Sequence, residues 1–361
     1  MWFVIHTHTH GDLLMKRSMI SFTRLPRLVF MVGVAALLGS LPIPARAVTI
    51  DWVTVGDPGN TADTDPAGYG AVAAAFQIMK YEFTNQQYTD FLNSVDPTGT
   101  NPNSVYNATM GIDARGGISF TSGAASGSKY AARTNMGDKP VNYVSWFNAA
   151  RVSNWLMNGG ISSSSTETGA YTLNGSTSGT APAVNLGAAF YIPTEDQWYK
   201  AAYYKGGSTN AGYWNYATQS NLAPTPVAAD STGIGSAGST GNFANYNQAA
   251  SWNGQNGNVT TVGTNGGSSY YGALDMSGNV HEWNDLAGAA GSRGLRGGRW
   301  EDGSSNMSSD NRTASDPSFG YNSIGFRLAS PVAVPEPSTW VMGLAGIACG
   351  GWQMYRRRTR A

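Results

Sequence analysis

The sequence predicts an α+β domain with a high loop content. Three stretches are written as short helices, each opened by a hydroxyl residue suited to capping free backbone N–H groups: Thr84, Ser145 and Thr194. An apolar run of strand length, Ala73 to Tyr81, feeds the first of them. Long tracts of Gly, Ser, Thr and Asn, in a chain with 46 glycines among 361 residues, follow neither a helical nor a strand period.

Residues 1–47 have the form of an export signal. Lys16, Arg17, Arg24 and Arg27 precede an apolar run from Leu28 to Leu41, and Ala45-Arg46-Ala47 supplies a small-x-small cleavage pattern. The run is short for a spanning anchor and stops at Pro42 and Pro44. Met1 and Met15 are both candidate starts. The domain proper is expected over residues 48–330.

Asp51 to Tyr69 is polar and turn-rich, with a first strand expected near Ile50 to Val55. Thr84 and Gln87 form a capping box, and Tyr88, Phe91, Leu92 and Val95 follow at helical spacing. Ser145 caps a second helix, in which Ala149, Val152 and Leu156 recur at near-helical intervals. Residues 158–188 are mostly Ser, Thr, Gly and Asn and are expected to form an exposed insertion. Thr194 and Gln197 make another capping box, with Trp198, Ala201 and Ala202 on the buried face. Residues 205–270 read as loop, and a loop this long needs something to hold it, a first hint of bound metal.

Composition removes several functions. Cys349 is the only cysteine and lies in the C-terminal apolar segment, so the domain has no disulfide, thiolate metal site or cysteine nucleophile. Between residues 48 and 334 there are 13 Lys and Arg against 20 Asp and Glu, a mildly acidic body that argues against nucleic acid as partner. His281 is the only histidine after the leader, too few for a zinc or non-haem iron site. Its expected role is the bland one of a packed or exposed side chain.

The most informative stretch is Leu274 to Leu328. It contains Gly278-Asn279-Val280-His281-Glu282-Trp283, then Arg296-Gly297-Gly298-Arg299-Trp300, then Arg312 and Ile324-Gly325-Phe326-Arg327. Upstream lie Tyr81-Glu82-Phe83-Thr84-Asn85, Pro140-Val141-Asn142-Tyr143-Val144-Ser145-Trp146 and Tyr191-Ile192-Pro193-Thr194-Glu195. In order and spacing these blocks resemble the formylglycine-generating, or sulfatase-modifying-factor, domain family, over most of residues 75–330. The resemblance implies a C-type-lectin-like core.

Members that make formylglycine use two cysteines after the Arg-Gly-Gly block, with copper bound by that pair. Here the first would fall near Asp302 and the second within Ser305 to Met307, and neither place holds a cysteine. Asp, Ser and Met do not substitute for thiolate chemistry, so neither formylglycine formation nor copper is expected. Calcium is the cofactor the resemblance implies. Its ligands would be the side chains of Asp275 and Glu282 with the carbonyls of Gly278 and Val280. A second site would use Asn245 and the carbonyl of Tyr246, completed from Asn253 to Asn258. The residues themselves suit this, because two carboxylates bracket a tight turn and Ca²⁺ takes 6–8 oxygens. The alternative is that Asp275 caps the turn and Glu282 pairs with an arginine. Arg296, Arg299, Arg312 and Arg327 are candidates to line an anion cleft, although Arg327 is better read as buried against carboxylates.

Residues 331–361 read as a second address. Val334-Pro335-Glu336-Pro337-Ser338 precedes an apolar segment, Trp340 to Tyr355, and Arg356, Arg357, Arg358 and Arg360. This resembles the bacterial Pro-Glu-Pro (PEP-CTERM) sorting signal, cut by a membrane-bound exosortase. The segment is shorter than the ~20 residues of a full span, and the arginines hold the tail on the cytoplasmic side. Together these features predict a protein exported to the envelope or surface of a Gram-negative bacterium, as a non-catalytic, calcium-stabilised module binding a glycan, exopolysaccharide or surface protein. The alternative is an oxidoreductase of the same family with altered chemistry. Removal of residues 1–47, with cleavage or anchoring near Pro335, is the expected processing. Intact-mass measurement on envelope and extracellular fractions checks it, and full-length chain confined to the cytosol would refute it.

Overall fold

The computed structural model describes residues 48–288 and 291–331. The leader, Cys349 and all but Pro331 of the sorting signal, including its short membrane segment, lie outside the described residues. Among those residues no helix is long and apolar enough to cross a membrane. The elements in chain order are β1 (Trp52–Val55), β2 (Phe76–Met79), α1 (Asn85–Val95), α2 (Thr109–Ile112), β3 (Ile118–Phe120), β4 (Tyr130–Ala132), α3 (Trp146–Met157) and α4 (Glu195–Tyr203). They continue with β5 (Thr225–Pro226), β6 (Phe243–Ala244), β7 (His281–Ala287), β8 (Arg293–Arg296), β9 (Thr313–Ser315), β10 (Ile324–Gly325) and β11 (Ala329–Ser330).

Each expected helix starts at its expected cap. Thr84 accepts from Gln87 N at 3.3 Å while the Gln87 side chain takes the Thr84 N–H at 2.9 Å. Thr194 and Gln197 repeat the arrangement at 3.1 and 3.0 Å, and Ser145 accepts from Asn148 N at 3.1 Å. Such caps contribute about 1 kcal/mol each by satisfying N–H groups the helix cannot. Tyr88, Phe91, Leu92, Trp198, Ala201 and Ala202 are buried as the helical periods require.

The longer strands form two small sheets. In the first, β2 lies between β1 and β11, antiparallel to both. The second has the order β10-β7-β8-β9, with β10 parallel to β7 and the other pairs antiparallel. The segment between β10 and β11 joins them. Phe326 and Leu328 give their carbonyls to Phe83 N and Met79 N at 2.9 Å, and the Phe326 ring stacks on Phe83 at 4.9 Å between centroids. The main core gathers around buried Trp146, Trp155, Trp198 and Trp283. This is the α+β, loop-rich architecture expected from the sequence.

Residues 158–188 depart from expectation. They are not a wholly exposed insertion, because Tyr171 is buried against Trp146 at 5.2 Å and its hydroxyl accepts from Ile192 N at 2.9 Å. The physical reason lies in α3, which buries Arg151 and Asn154. Arg151 needs an acceptor and finds Glu167 at 2.8 Å, while Asn154 accepts from Tyr171 N at 2.7 Å. A buried charge or amide without a partner is costly, so a polar segment docks where an apolar count predicts none.

The run 205–270 holds itself by means the apolar count also understates. Trp252 and Val259 pack with Met136, Val280 and Trp300, and Tyr216, Ala244, Tyr246 and Met307 form another small cluster. Buried polar tips are paired, with Trp252 Nε1 donating to Val259 O at 2.9 Å and Tyr246 OH to Pro224 O at 2.6 Å.

Candidate functional site

Asp275 to Glu282 makes a tight turn that enters β7. Asp275, Gly278 and Asn279 all take positive φ, at 58°, 81° and 63°. A Cβ on Gly278 would overlap the Asn245 carbonyl, so only glycine fits there. The turn carries three hydrogen bonds to neighbouring segments: Gly278 N to Gly297 O at 2.7 Å, Asn279 N to Asn245 O at 2.8 Å and Trp300 N to Asn279 O at 2.9 Å. Asn279 also ties the centre together through its side chain. It donates to Glu82 Oε2 at 2.9 Å and accepts from Asn245 Nδ2 at 3.1 Å and Thr260 N at 2.9 Å. The residues assigned to two separate metal sites are thereby neighbours.

Glu282 is wholly buried and faces Arg327. Arg327 Nε and Nη2 reach its two oxygens at 2.6 and 2.7 Å, and Trp198 Nε1 donates to Oε2 at 2.8 Å. The remaining guanidinium N–H groups go to Leu274 O at 2.9 Å, Met79 O at 3.0 Å and Lys80 O at 3.3 Å. All five Arg donors are thus used. Burial alone opposes the charge on Arg327, yet Glu282, Glu82 and Asp275 outweigh it and raise its pKa.

Two further carboxylates surround this pair. Glu82 is wholly buried, and burial, then Asp275 and Glu282, push its pKa well above the usual carboxylate range. Asp275 accepts from Gly263 N and, at 2.9 Å, from Asn265 Nδ2, and burial raises it too. Three buried carboxylates therefore share one guanidinium. Asn245 Oδ1 is buried with no hydrogen-bond partner among the described residues. Among the described residues no group of three or more His, Cys, Asp or Glu side chains is arranged to hold a metal ion. Glu282 pairs with an arginine, as the alternative reading of the turn anticipates, whereas Asp275 accepts from Gly263 and Asn265 upstream of the turn. The carbonyl of Tyr246 accepts from Ala249 N at 3.2 Å.

Three of the four arginines, Arg296, Arg299 and Arg327, face protein carboxylates. Arg296 is buried against Glu195 at 2.6 Å, and Arg312 lies over the Tyr69 ring at 5.8 Å. Arg299 meets both Glu301 and Asp302 at 3.1 Å. Asp302 stands instead beside His281, whose Nε2 is 3.1 Å from Asp302 Oδ2. Burial opposes the charge on Asp302, but His281 and Arg299 outweigh it and hold its carboxyl below the usual range. His281 is thus a packed side chain, as expected, and it packs beside a carboxylate. It borders a cavity of about 250 Å³ with Arg299, Asp302, Asn306, Thr313 and Tyr321. Sequence reasoning missed the partnership because residues 281 and 302 meet only once β7 and the turn after β8 are placed.

Residues 51–332 match the model of the sulfatase-modifying factor enzyme 1-like domain. The chain belongs to this family. No curated protein matches it. Among solved structures it is similar to Treponema denticola variable protein 1, at 18% identity and TM-score 0.47 over 81% of this chain and 100% of that one. It is also similar to CarF, at 22% identity and TM-score 0.46 over 79% and 99% of the two chains. PvdO from Pseudomonas aeruginosa shares 19% identity, with TM-score 0.39 over 79% and 93%.

In this sulfatase-modifying factor domain the residues missed by pattern reading are Glu82 and Asn279. Glu82 stands in the Tyr81-Glu82-Phe83 block, and an acid between two aromatics leading out of a buried strand was its available signal. Removing the charge of Arg327 leaves Glu282 and Glu82 buried without compensation, which typically costs about 3–5 kcal/mol. Arg327→Met is expected to lower the urea midpoint accordingly. Arg327→Met with Glu282→Gln should cost less than the two single changes added together. An unchanged midpoint in Arg327→Met would show that the pair is not structural.

Proposed function

We propose that the chain is a non-catalytic, exported sulfatase-modifying factor domain, stabilised by calcium and used for binding. The observation that carries this reading is Asp302. It stands where the resemblance expects the first catalytic cysteine, and it is committed to His281 and Arg299. Ser305, Asn306 and Met307, at the second place, form a short 3-10 turn whose Met307 is buried. Neither place holds a thiol, so formylglycine formation by the family's cysteine pair is not expected, and the alternative is an oxidoreductase of altered chemistry.

Calcium would be held by Asp275, Glu282 and the carbonyls of Gly278 and Val280, with Asn245 and the Tyr246 carbonyl at a second position. The unpartnered Asn245 Oδ1 beside the turn supports this. The chemistry such an ion supplies is electrostatic: it neutralises the cluster and satisfies oxygens pointing into the turn. We infer export from the leader and the exosortase-type signal, and a glycan, exopolysaccharide or surface protein is the partner proposed there.

The processed protein is therefore expected to leave a Cys-x-Pro-x-Arg peptide unmodified, with or without copper. A mass change on that peptide above a blank would overturn the non-catalytic reading. Calcium binding is tested separately. A ligand that binds only the folded state adds about 2.7 kcal/mol at 100 times its Kd, so a chelator should lower the melting temperature. Asp275→Ala and Glu282→Ala should each lower melting in calcium and reduce that sensitivity to whatever the second position contributes, or to nothing if the first is the only site. Identical melting with and without chelator, in a protein that carries no calcium by elemental analysis, would remove the metal from the proposal.

A further inference from the structure

Phe319 and Tyr321 are unusual in being large, aromatic and about half exposed, at 52% and 49%. Their ring centroids lie 6.0 Å apart on the short loop that follows Asp316. That loop is pinned at both ends. Asp316 accepts from the Ser318 N–H at 2.8 Å and from its hydroxyl at 2.6 Å. Trp146 N donates to Pro317 O at 3.0 Å, and Tyr143 N donates to Tyr321 O at 2.8 Å. Gly320 lies so close to the Tyr143 backbone that a Cβ would overlap it. Two rings are thus presented to solvent by a supported backbone, which is how a protein pre-organises a contact surface.

Two cavities border the same loop. One, of about 150 Å³, is lined by Ser318 and Gly320 together with Asn103, Asn107, Tyr143 and Asn148, and no charged side chain borders it. The other is the 250 Å³ cavity, in which Tyr321 joins His281 and Arg299. Its charges are internally matched, because Arg299 is paired with Glu301 and Asp302. His281 is 6% exposed, and its Nδ1 has no hydrogen-bond partner among the described residues.

We propose that these two cavities and the aromatic loop between them bind a neutral glycan, one sugar ring to each cavity, with Phe319 and Tyr321 as the stacking platform. This deepens the reading of the chain as a binding module and rests on it. Amides and hydroxyls both donate and accept, and so do sugar hydroxyls. The apolar C–H face of a sugar ring covers an aromatic face that is otherwise left in water. An anionic ligand finds no unpaired cation here. Each cavity is also smaller than the roughly 300–1,000 Å³ of drug-sized sites, which fits one ring rather than a larger group.

The test titrates the processed protein with cello-, malto- and chito-oligosaccharides, using polygalacturonate as the anionic probe and denatured casein as the peptide probe. Binding of at least one neutral oligosaccharide is expected. Phe319→Ala and Tyr321→Ala should each weaken it about threefold to tenfold, the range for loss of one aromatic contact. Both residues are exposed, so melting of these variants should match the parent and rule out misfolding as the cause. No neutral oligosaccharide binding, binding of polygalacturonate or casein alone, or sugar binding indifferent to both substitutions would each overturn the assignment. If sugars fail while the protein still leaves the Cys-x-Pro-x-Arg peptide unmodified and responds to chelator, the glycan is wrong and the module reading stands with another ligand. Modification of that peptide would remove the module reading whatever the sugars do.

Discussion

The ion pair of Arg327 with Glu282 is the constraint on which the rest of this fold depends. A guanidinium and a carboxylate taken fully out of water lose several kcal/mol of hydration each, and mutual attraction recovers that only if every remaining donor and acceptor is matched. Arg327 meets the condition by reaching carbonyls of Met79, Lys80 and Leu274 as well as Glu282. Those partners belong to the exit of one sheet, the turn before β7 and the second sheet. Satisfying one side chain therefore sets the relation of three segments far apart in sequence. The neighbouring Gly325 serves the same end, since a Cβ there would come within 2.6 Å of Val141 O.

Around this centre, side-chain amides do work that β-ladders do in sheet-rich folds. Asn279 and Asn245 bridge strand entry and loop, Asn142 joins Arg115 O to Asn322 O at 2.8 Å each, and Asn85 reaches the carbonyls of Met136 and Lys139. An amide offers donor and acceptor on one short stem, so it can satisfy backbone groups that no strand partner reaches. The abundance of Asn and Gly then has a common cause. Glycine lets segments approach or turn, and asparagine closes the hydrogen bonds that the turning opens.

The helices were legible because their signals are local. A cap and a partner three residues on, as at Thr84 and Gln87, are complete within one turn of chain. The blocks around Gly278 and Gly325 marked the family because glycine at positive φ and buried Trp leave little latitude. What sequence reading could not supply was pairing across distance. Nothing local to Arg151 announces Glu167, so residues 158–188 read as solvated when part of them is docked. Nothing local to His281 announces Asp302, which joins it from beyond β8. The run before Asp275 looked too polar to order itself because its apolar partners, Met136, Trp300 and Met307, come from elsewhere in the chain.

The placement of β1 and β11 on opposite sides of β2 has a mechanical consequence. Both run antiparallel to β2, with Trp52 opposite Met79 and Ser330 opposite Gln77. The chain therefore arrives at one end of β2 and departs towards the other. Tension applied at residues 52 and 330 draws the outer strands in opposite senses along the middle one. The load falls on the ladder in shear, spread over its hydrogen bonds together instead of parting them one after another. A domain built this way resists being pulled open by its own ends, whatever it holds on to elsewhere.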